Sequence, residues 1–398
     1  MKNRLFSLLA LSVLSLSLLG GCASPEAEGE EEEEEISVQT LTVSDPDYYT
    51  RFKGQDISIN VYNWGEYIST GEEGSYDTNA EFENWYFETY GQKVRVNYST
   101  YDSNESLRSQ LELGTANYDV IVPSDYMIQY FIEKDLLAEL NFDNIPAYEN
   151  ISETYRNLYY DPENKYTVPY TYGVVGIIYD ANEVDPADVT GWEVMWNSKY
   201  SGEILQFRNS RDAFGTAMYM LDIDVNTADK AAWDRAKEKL LEQKPLRKML
   251  VMDEVFNMME MGEAAVAAYY AGDYFTMRDN QAENVDLRFF TPDRTNVFVD
   301  AMCVLKTSKH KDVAEAYINF MLMEDAAVAN SLTHWYASPN TAVLNSAAYK
   351  EELGEDAYAV LYPENYDFHT NYQTYAYRNL NAEILEYMTT LWEDILIN

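Results

Sequence analysis

The stretch ISINVY, residues 57–62, alternates apolar and polar side chains in the manner of a β-strand with one buried face. It is followed by NAEFENWYFETYG, residues 79–91, whose aromatic residues recur at helical intervals and whose final glycine is a typical helix stop. KVRVNYS, residues 93–99, then returns to strand periodicity. A strand, a helix and a strand in this order favour a parallel sheet with helices on its faces, so the predicted fold class is α/β.

The same alternation continues along the chain. Further strand and helix patterns occur at 103–114, 118–124, 166–180, 203–218, 263–275, 297–305 and 311–323. No flexible linker interrupts this body, which predicts domains that are interleaved by chain crossovers. In sheets of this kind ligands bind beyond the carboxyl ends of the strands, so the residues that follow each strand are the candidate site residues.

The composition excludes some classes of partner. The 398 residues carry 68 acids against 28 bases, for a formal net charge of −40. Nucleic-acid binding and docking to anionic lipid both need basic patches, so neither is expected. A strongly solvated acidic surface accounts for much of such a charge, and the charge alone therefore names no ligand. With 46% apolar residues the chain can build large cores, and its length fits about two domains.

The amino terminus has the features of a targeting segment. Lys2 and Arg4 precede an apolar run at 5–19, which is too short for a membrane-spanning helix and ends in LGGC at 19–22. A lipoprotein signal peptide is therefore predicted at 1–21. The cysteine after two small residues resembles a bacterial lipobox, by which Cys22 becomes the lipidated first residue of the mature protein. An ordinary signal peptide with an incidental cysteine is the alternative.

Residues 22–53 are predicted to form a disordered acidic tether. Eight glutamates lie before position 36, and such a composition buries too little apolar surface to fold. Because like charges extend a linker, this segment would hold the folded body away from the membrane.

Catalytic and metal-binding motifs are missing from the sequence. His310, His334 and His369 show no ligand spacing, and Cys303 is best explained as a small core residue. There is no glycine-rich phosphate loop, no G-x-S-x-G and no H-E-x-x-H. The protein is therefore predicted not to be an enzyme, and neither a cofactor nor a metal is expected.

Flat aromatic faces and several carboxylates follow the predicted strands, with almost no basic side chain apart from Arg211. An elongated organic cation suits this combination, because desolvated ammonium groups need carboxylates and the methylenes between them prefer aromatic walls. The candidate ligand-binding residues are Trp64, Tyr67, Ser124, Tyr126, Asp212, Tyr270, Asp273, Phe298, Asp300 and Tyr336.

Plainer roles remain open for some of these residues. Trp64 and Tyr67 also fit as the cover of a sheet edge. Asp212 also fits as a solvated charge at the start of a helix. Asp125 is best explained as a helix cap, a role that Ser124 can share.

Seven segments in order from about residue 57 to 340 carry a family resemblance: VYNWGEYIS, VNYSTYDSNESL, YDVIVPSDY, TVPYTYGVVGIIYD, YAGDY, FVDAM and WYASPN. In these segments the chain resembles the solute-binding proteins of spermidine/putrescine ABC transporters. The resemblance implies the type II periplasmic-binding-protein fold. Its two lobes, each a mainly parallel sheet flanked by helices, are interleaved by hinge crossovers and close on the ligand. Residues 54–168 and 301–335 would form lobe 1, and residues 169–300 and 336–398 would form lobe 2.

The function implied by the resemblance is capture of putrescine or spermidine and its delivery to ABC transporter permease subunits. The protein would be monomeric, extracytoplasmic and lipid-anchored to the bacterial cell membrane. By position, Asp212, Asp273 and Asp300 would hold the ligand nitrogens. The other candidates would form the aromatic box, with Trp64 and Tyr67 along the alkyl chain, Ser124 and Tyr126 facing them, and Tyr270, Phe298 and Tyr336 completing it.

Departures from the family pattern leave the length of the ligand open. Asp212 stands where the family often has glutamate, and Asn209 where spermidine binders can carry aspartate. Fewer carboxylates favour putrescine. The same fold with another amine or small solute is the nearest alternative. A surface-tethered structural protein, which would show no saturable binding of small molecules, is a further one.

Overall fold

The structure is a computed structural model, which describes residues 54–114, 117–362 and 368–397. The segments predicted at 1–21 and 22–53, with Cys22, lie outside these described residues. The strands in the described part of the chain are β1 (Ile57–Trp64), β2 (Val94–Tyr101), β3 (Val120–Ile121), β4 (Thr167–Asp180), β5 (Ile204–Phe207), β6 (Arg247–Val251), β7 (Val266–Tyr270), β8 (Leu287–Phe290) and β9 (Val297–Val304). The α-helices there are α1 (Thr78–Tyr90), α2 (Asn104–Glu112), α3 (Asp125–Glu133), α4 (Ser210–Met220), α5 (Lys230–Gln243), α6 (Glu254–Glu260), α7 (Ala271–Asn280), α8 (Lys311–Met321), α9 (Glu324–His334), α10 (Thr341–Asn345), α11 (Ala347–Leu353), α12 (Glu355–Leu361), α13 (Phe368–Tyr375) and α14 (Ala382–Ile397).

The strands form one hydrogen-bonded series in the order β2-β1-β3-β9-β4-β7-β5-β6, with β8 paired beside β4. The parallel pairs lie towards the two ends of the series, where β1 pairs with β2 and β3, and β5 pairs with β6 and β7. The antiparallel pairs all involve β4 or β9. The α/β class is therefore confirmed, with a parallel group of strands on each side of two antiparallel central strands.

Strand β4 connects the two halves of this series. Its first part pairs with β9, from Thr167 opposite Cys303 to Val174 opposite Val297. From Val175 onwards it pairs instead with β7 and β8. Most of its 14 residues are buried, which explains why the strand reads as a nearly continuous apolar run.

Polar side chains fix the starts of the helices that carry site residues. Ser103 caps α2 by accepting a hydrogen bond from the Ser106 amide. Asn209 caps α4 in the same way, with its Oδ1 2.8 Å from the Asp212 amide nitrogen. These caps place the first turns of both helices beside the ends of neighbouring strands.

One local prediction was wrong. Asp125 is not a helix cap: Ser124 occupies the cap position without a side-chain cap bond, and Asp125 is the buried first residue of α3. The Asp125 carboxylate instead accepts hydrogen bonds from the Tyr126 amide and the Tyr372 hydroxyl. Asp273 follows β7, as expected, and lies in the first turn of α7, which begins directly after that strand.

Two further features concern the helices and a cysteine of the described residues. None of the helices in the described part of the chain is long and apolar enough to cross a membrane. Cys303 is a free thiol that is fully buried in β9, so its predicted role as a small core residue is confirmed.

Candidate ligand-binding site

A cavity of about 430 Å³ lies where the ends of several strands and helices meet. Trp64 ends β1 and Tyr270 ends β7, as expected for a site beyond the carboxyl ends of strands. All ten residues singled out in the sequence line this cavity: Trp64, Tyr67, Ser124, Tyr126, Asp212, Tyr270, Asp273, Phe298, Asp300 and Tyr336. The structure therefore brings together side chains that are separated by up to 272 positions in the chain.

Aromatic side chains form the walls and are held in place by their neighbours. The Trp64 indole N–H donates to the Val122 carbonyl at 2.8 Å, and its ring lies 4.5 Å from that of Tyr101. The ring centroid of Tyr336 lies 5.3 Å from that of Tyr67 and 6.0 Å from that of Phe298. Such edge-to-face contacts fix flat, electron-rich faces against which methylene groups and cations pack well.

Carboxylates are the only charged groups among the described residues that line the cavity. These seven acids are Glu66, Asp102, Asp212, Asp253, Glu260, Asp273 and Asp300. Arg211, the basic residue expected near the site, is buried outside the cavity. Its Nη1 donates to the Val225 carbonyl and its Nη2 to the Asn226 Oδ1, each at 2.8 Å. The electrostatic field of this lining therefore attracts positive charge.

Asp300 lies on β9 at the floor of the cavity and is 3% exposed. Its Oδ2 accepts a hydrogen bond from the Tyr67 hydroxyl at 2.5 Å, whereas its Oδ1 is buried without a hydrogen-bond partner. Burial raises the pKa of this carboxyl to about 6, although the Tyr67 bond favours the ionised form. Oδ1 is thus an acceptor that a ligand N–H group can satisfy.

Asp273 lies among other acids. Burial raises the pKa of its carboxyl to about 8, a hydrogen bond from Tyr336 opposes that rise, and repulsion from Asp253, Glu66 and Asp300 adds to it. A cation placed among these groups would remove the repulsion and favour ionisation of Asp273.

Asp212 occupies the first turn of α4 and has neutral donors around it. Its Oδ2 accepts hydrogen bonds from the Tyr270 hydroxyl at 2.6 Å and from the Asn209 Nδ2 at 2.8 Å. Burial raises the pKa of Asp212, and the bonds from Tyr270, Asn209 and Tyr377 oppose that rise. The expectation of a solvated charge at a helix start is wrong, since Asp212 is only 7% exposed.

A glycine makes room for one wall of the cavity. A Cβ atom at Gly272 would lie 2.6 Å from ring atoms of Tyr336, closer than real side chains approach. The glycine before Asp273 in the YAGDY segment therefore permits the close approach of an aromatic ring to α7.

Several residues that line the cavity are not among those predicted from the sequence. Tyr101 ends β2 and Asp102 follows it, so the rule that ligands bind at strand ends also points to these two residues. Asp253 follows β6, a strand whose charged and half-exposed sequence was not recognised as one. Tyr377 lies between α13 and α14, and only tertiary packing places it here. The remaining unpredicted lining residues are Gly65, Asn104, Met252, Phe256, Glu260, Tyr269, Thr276, Asn280 and Asn296.

The acids of the cavity are not arranged as metal ligands. Within the described residues no group of three or more histidine, cysteine, aspartate or glutamate side chains has the geometry to hold a metal ion. Carboxylates at separate points along an aromatic-lined cavity instead suit a ligand whose positive charges are themselves separated.

An α/β fold of this topology, with a ligand-sized cavity at the strand ends, defines the class of two-lobed type II solute-binding proteins. The chain matches the model of the bacterial extracellular solute-binding protein family over residues 80–354, and it belongs to that family. The fold class predicted from the sequence is thereby confirmed.

The chain is similar to individual solute-binding proteins over most of their length. The chain is 27% identical to the spermidine/putrescine-binding periplasmic protein of Escherichia coli (strain K12) over 289 residues, which cover 72% of this chain and 78% of that protein. It is 27% identical to a putrescine/cadaverine-binding protein of Pseudomonas aeruginosa over 354 residues, 85% of this chain and 93% of the other. The crystal structure of PotD, a spermidine/putrescine ABC transporter substrate-binding protein of Streptococcus pneumoniae, covers 86% of this chain and 99% of its own at 29% identity and a TM-score of 0.67.

Proposed function

We propose that this protein captures a linear polyamine of the putrescine/spermidine class between its two lobes and delivers it to an ABC transporter permease. The observation that carries this proposal is the meeting of Asp212, Asp273 and Asp300 in one aromatic-lined cavity without a basic residue among its described lining. The names of the relatives agree with it.

The chemistry of the cavity discriminates between classes of cargo. An anion would meet only repulsion there. An amino acid would bring a carboxylate that needs an arginine, a lysine or a helix amino terminus, and the lining supplies acids instead. A polyamine supplies ammonium groups, which stay protonated at neutral pH with a pKa near that of lysine, about 10.4. Its methylenes can pack on the aromatic walls.

The individual roles follow from position. Asp300 is the acceptor for one ligand nitrogen through its unpartnered Oδ1, and Asp212 and Asp273 pair with the others. Trp64 and Tyr67 flank the alkyl chain, Ser124 and Tyr126 face them, and Tyr270, Phe298 and Tyr336 complete the box. Capture requires closure of the lobes and no covalent chemistry, and the protein acts as a monomer.

The lobes are proposed to divide at 54–168 with 301–335 and at 169–300 with 336–398. The pairing of β4 supports this division, because the strand leaves β9 and joins β7 and β8 at Val175. Strands β4 and β9 would then carry the hinge that lets the lobes close around the ligand.

Calorimetric titration with putrescine, spermidine and lysine tests the proposal. Asp300→Asn and Asp273→Asn should each weaken polyamine binding at least about tenfold, because truncating one partner of a buried charge pair costs about 2–5 kcal/mol. The matched control is Asp293→Asn at an exposed site outside the cavity, which should leave the affinity unchanged. Unchanged affinity in both cavity variants, or binding of lysine as tight as that of the polyamines, would contradict the proposal.

The extracytoplasmic location and the lipid anchor at Cys22 are part of the same proposal. The sequence features that support them are the basic start, the short apolar run and the LGGC segment. A Cys22→Ala variant should appear in the soluble extracytoplasmic fraction instead of the membrane fraction. A variant that remains on the membrane at the normal level would refute lipidation and leave the binding function untouched.

A further inference from the structure

His334 is a buried histidine that lies behind the wall of the cavity. It is the last residue of α9, is only 2% exposed and is not among the described residues that line the cavity. Its Nδ1 accepts a hydrogen bond from the backbone N–H of Tyr336 at 3.0 Å. A neutral imidazole has one acceptor nitrogen and one N–H group, so this bond places the ring proton on Nε2. His334 therefore holds the backbone of a residue whose side chain does line the cavity.

The imidazole ring of His334 is itself held by tyrosines. Its ring centroid lies 5.4 Å from that of Tyr67, 5.5 Å from that of Tyr170 and 5.9 Å from that of Tyr336. The Tyr170 hydroxyl donates to the Tyr67 carbonyl at 2.8 Å, which fixes these two residues relative to each other. Burial lowers the pKa of His334 to about 3, so the ring is neutral at physiological pH. This packing orients an uncharged ring with its acceptor nitrogen towards the Tyr336 backbone.

The chain turns sharply between His334 and Tyr336. Trp335 follows α9 with a φ of 57°, a left-handed conformation that is rare for a bulky side chain. Such a conformation persists only where the surroundings hold it. Here the Trp335 ring stacks on Phe275 of α7, with ring centroids 5.6 Å apart, and His334 holds the N–H group of the next residue. Both contacts stabilise the turn that brings Tyr336 to the cavity.

The side chain of Tyr336 has little freedom once its backbone is fixed. Its ring lies between Gly173 of β4 and Gly272 of α7, where added Cβ atoms would lie 3.2 Å and 2.6 Å from ring carbons. Its hydroxyl hydrogen-bonds to the Asp273 carboxylate. A small displacement of the Tyr336 backbone would therefore either press the ring against one of these glycines or move the hydroxyl away from Asp273.

The bond from Tyr336 matters because the rest of its surroundings disfavour the charge of Asp273. Burial raises the pKa of Asp273 to about 8, and the Tyr336 bond opposes that rise. The other titratable groups that face Asp273 are acids, which raise its pKa by repulsion, and tyrosines that burial keeps protonated: Asp253, Glu66 and Asp300, with Tyr67 and Tyr269. A well-placed Tyr336 hydroxyl is thus a donor that favours the ionised form, which is the form that pairs with an ammonium group.

We propose, building on the polyamine function above, that His334 is a positioning residue of the site, whose neutral ring holds Tyr336 through Nδ1 so that the Tyr336 hydroxyl can donate to Asp273. His334 acts on the ligand only through these two residues. An uncharged ring does this without weakening the negative field of the cavity, whereas a lysine or arginine in its place would repel the ammonium groups.

The first test is calorimetric titration of the full chain, His334→Asn and His334→Leu with putrescine and with spermidine at pH 7. Asparagine has its Oδ1 as many bonds from Cβ as the histidine Nδ1, so it keeps the acceptor, whereas leucine keeps the bulk and removes the acceptor. His334→Leu should weaken binding about tenfold, because the Tyr336 N–H is left unpaired and the donor to Asp273 is displaced. His334→Asn should weaken it less than about threefold. A role in packing alone would give the opposite order, since leucine fills a buried space better than asparagine does.

The matched control is His369→Leu, at an exposed histidine outside the cavity, which should leave both affinities unchanged. The same titrations at pH 8.5 separate positioning from a general loss of structure. In His334→Leu the pKa of Asp273 should rise, so more of the free protein holds the proton at pH 7. The deficit of His334→Leu relative to the unsubstituted protein should therefore be at least about twofold larger at pH 7 than at pH 8.5. Equal deficits at the two pH values would contradict the inference.

The tautomer of His334 can be observed in the unsubstituted protein. Long-range proton–nitrogen spectra show which ring nitrogen carries the proton, and because the chain has three histidines, the signals missing from His334→Asn identify His334. The neutral form with its proton on Nε2 should persist from pH 8 to pH 5. A charged ring within this range, or a proton on Nδ1, would overturn the inference whatever the variants show.

The outcomes distinguish this role from the proposed function. Failure of the unsubstituted protein to bind either amine would overturn the polyamine function. Polyamine binding that is as tight in His334→Leu as in the unsubstituted protein, or as weak in His334→Asn as in His334→Leu, would overturn only the role of His334.

Discussion

A buried carboxyl group lies at each end of the aromatic box, and the two carboxyl groups have different kinds of neighbours. At one end, Asp212 accepts hydrogen bonds from the neutral side chains of Tyr270 and Asn209. At the other end, Asp273 has Tyr336 as its donor and lies near the acids Asp253 and Glu66, which repel its charge. Burial raises the pKa of both carboxyls, and it raises that of Asp273 to about 8.

This difference shows how a site for a cation can be stable while it is empty. The dipoles of Tyr270 and Asn209 offset part of the cost of burying the negative charge at Asp212. Asp273 instead holds a proton in much of the free protein at neutral pH, which reduces repulsion within the acid cluster. A ligand must displace that proton, at a cost of about 1.4 kcal/mol for each unit by which the pKa exceeds the pH.

The largest effect that separates the two ends should come from charge removal at pH 7. Asp212→Asn should weaken polyamine binding about 100-fold, because a fully formed buried charge pair is lost, within the range of about 2–5 kcal/mol. Asp273→Asn should weaken it only about tenfold, since part of the energy of that pair is spent on displacing the proton. Calorimetry of both variants measures the ratio.

Repeating this comparison at pH 8.5 sharpens it. The loss caused by Asp273→Asn should grow, because the native carboxyl is then mostly ionised before the ligand arrives. The loss caused by Asp212→Asn should change little. Identical losses for the two variants at both pH values would show that the ends are equivalent, contrary to the structure.

The affinity of the unsubstituted protein should itself depend on pH. The pKa of Asp273 is about 8 and that of Asp300 about 6, and a bound cation lowers both. Binding therefore releases protons, and the dissociation constant should rise by up to about tenfold per unit as the pH falls from 8 to 6. Titrations in two buffers of different ionisation enthalpy would count the protons. No proton release at pH 7 would contradict the assignment of a protonated Asp273.

A smaller effect is expected from two glycines that each accommodate a tyrosine. A Cβ at Gly215 would overlap the Tyr377 hydroxyl, which bonds to Asp212, and a Cβ at Gly272 would overlap the ring of Tyr336, which bonds to Asp273. Gly215→Ala should weaken binding severalfold at every pH, because Asp212 keeps its other donors. Gly272→Ala should also shift the pH dependence of polyamine affinity to higher pH, because Asp273 loses the hydrogen-bond donor that lowers its pKa. Titration of both variants from pH 6 to 8.5 distinguishes these results.

The sequence could predict the aromatic box because ligands in α/β sheets bind near the carboxyl ends of strands, and such strand ends can be recognised in the sequence. Trp64 and Tyr67 come directly after the clear alternation of β1, and Asp300 lies in a long apolar run where a carboxylate is conspicuous. Asp212 and Asp273 are candidates for the same reason, and the family resemblance supplies their role as partners of the ligand nitrogens.

The rest of the site depends on packing that the sequence does not display. Asp253 follows β6, where lysine and arginine mask the strand pattern, and Tyr377 reaches the cavity from a loop near the carboxyl terminus. Glu260 ends a seven-residue helix and looks like any surface acid in so acidic a chain. Protonation states cannot be predicted from the sequence for the same reason, since the pKa of Asp273 is set by burial and by acids far away in the sequence.

The smallest effect concerns the stability of the free protein. The folded pKa of Asp273 lies above its unfolded value of about 3.9, so its contribution to stability is complete below pH 4 and is lost as the pH rises towards 8. The free protein should therefore melt about 1–2 °C higher for each pH unit lowered from 8 to 6, given the large unfolding entropy of a chain of this size. Asp273→Asn should flatten this slope, whereas Asp293→Asn, at an exposed site outside the cavity, should preserve it. Saturating polyamine should reverse the slope, because ligand binding strengthens with rising pH. A slope that is the same in both variants would place the proton on some group other than Asp273.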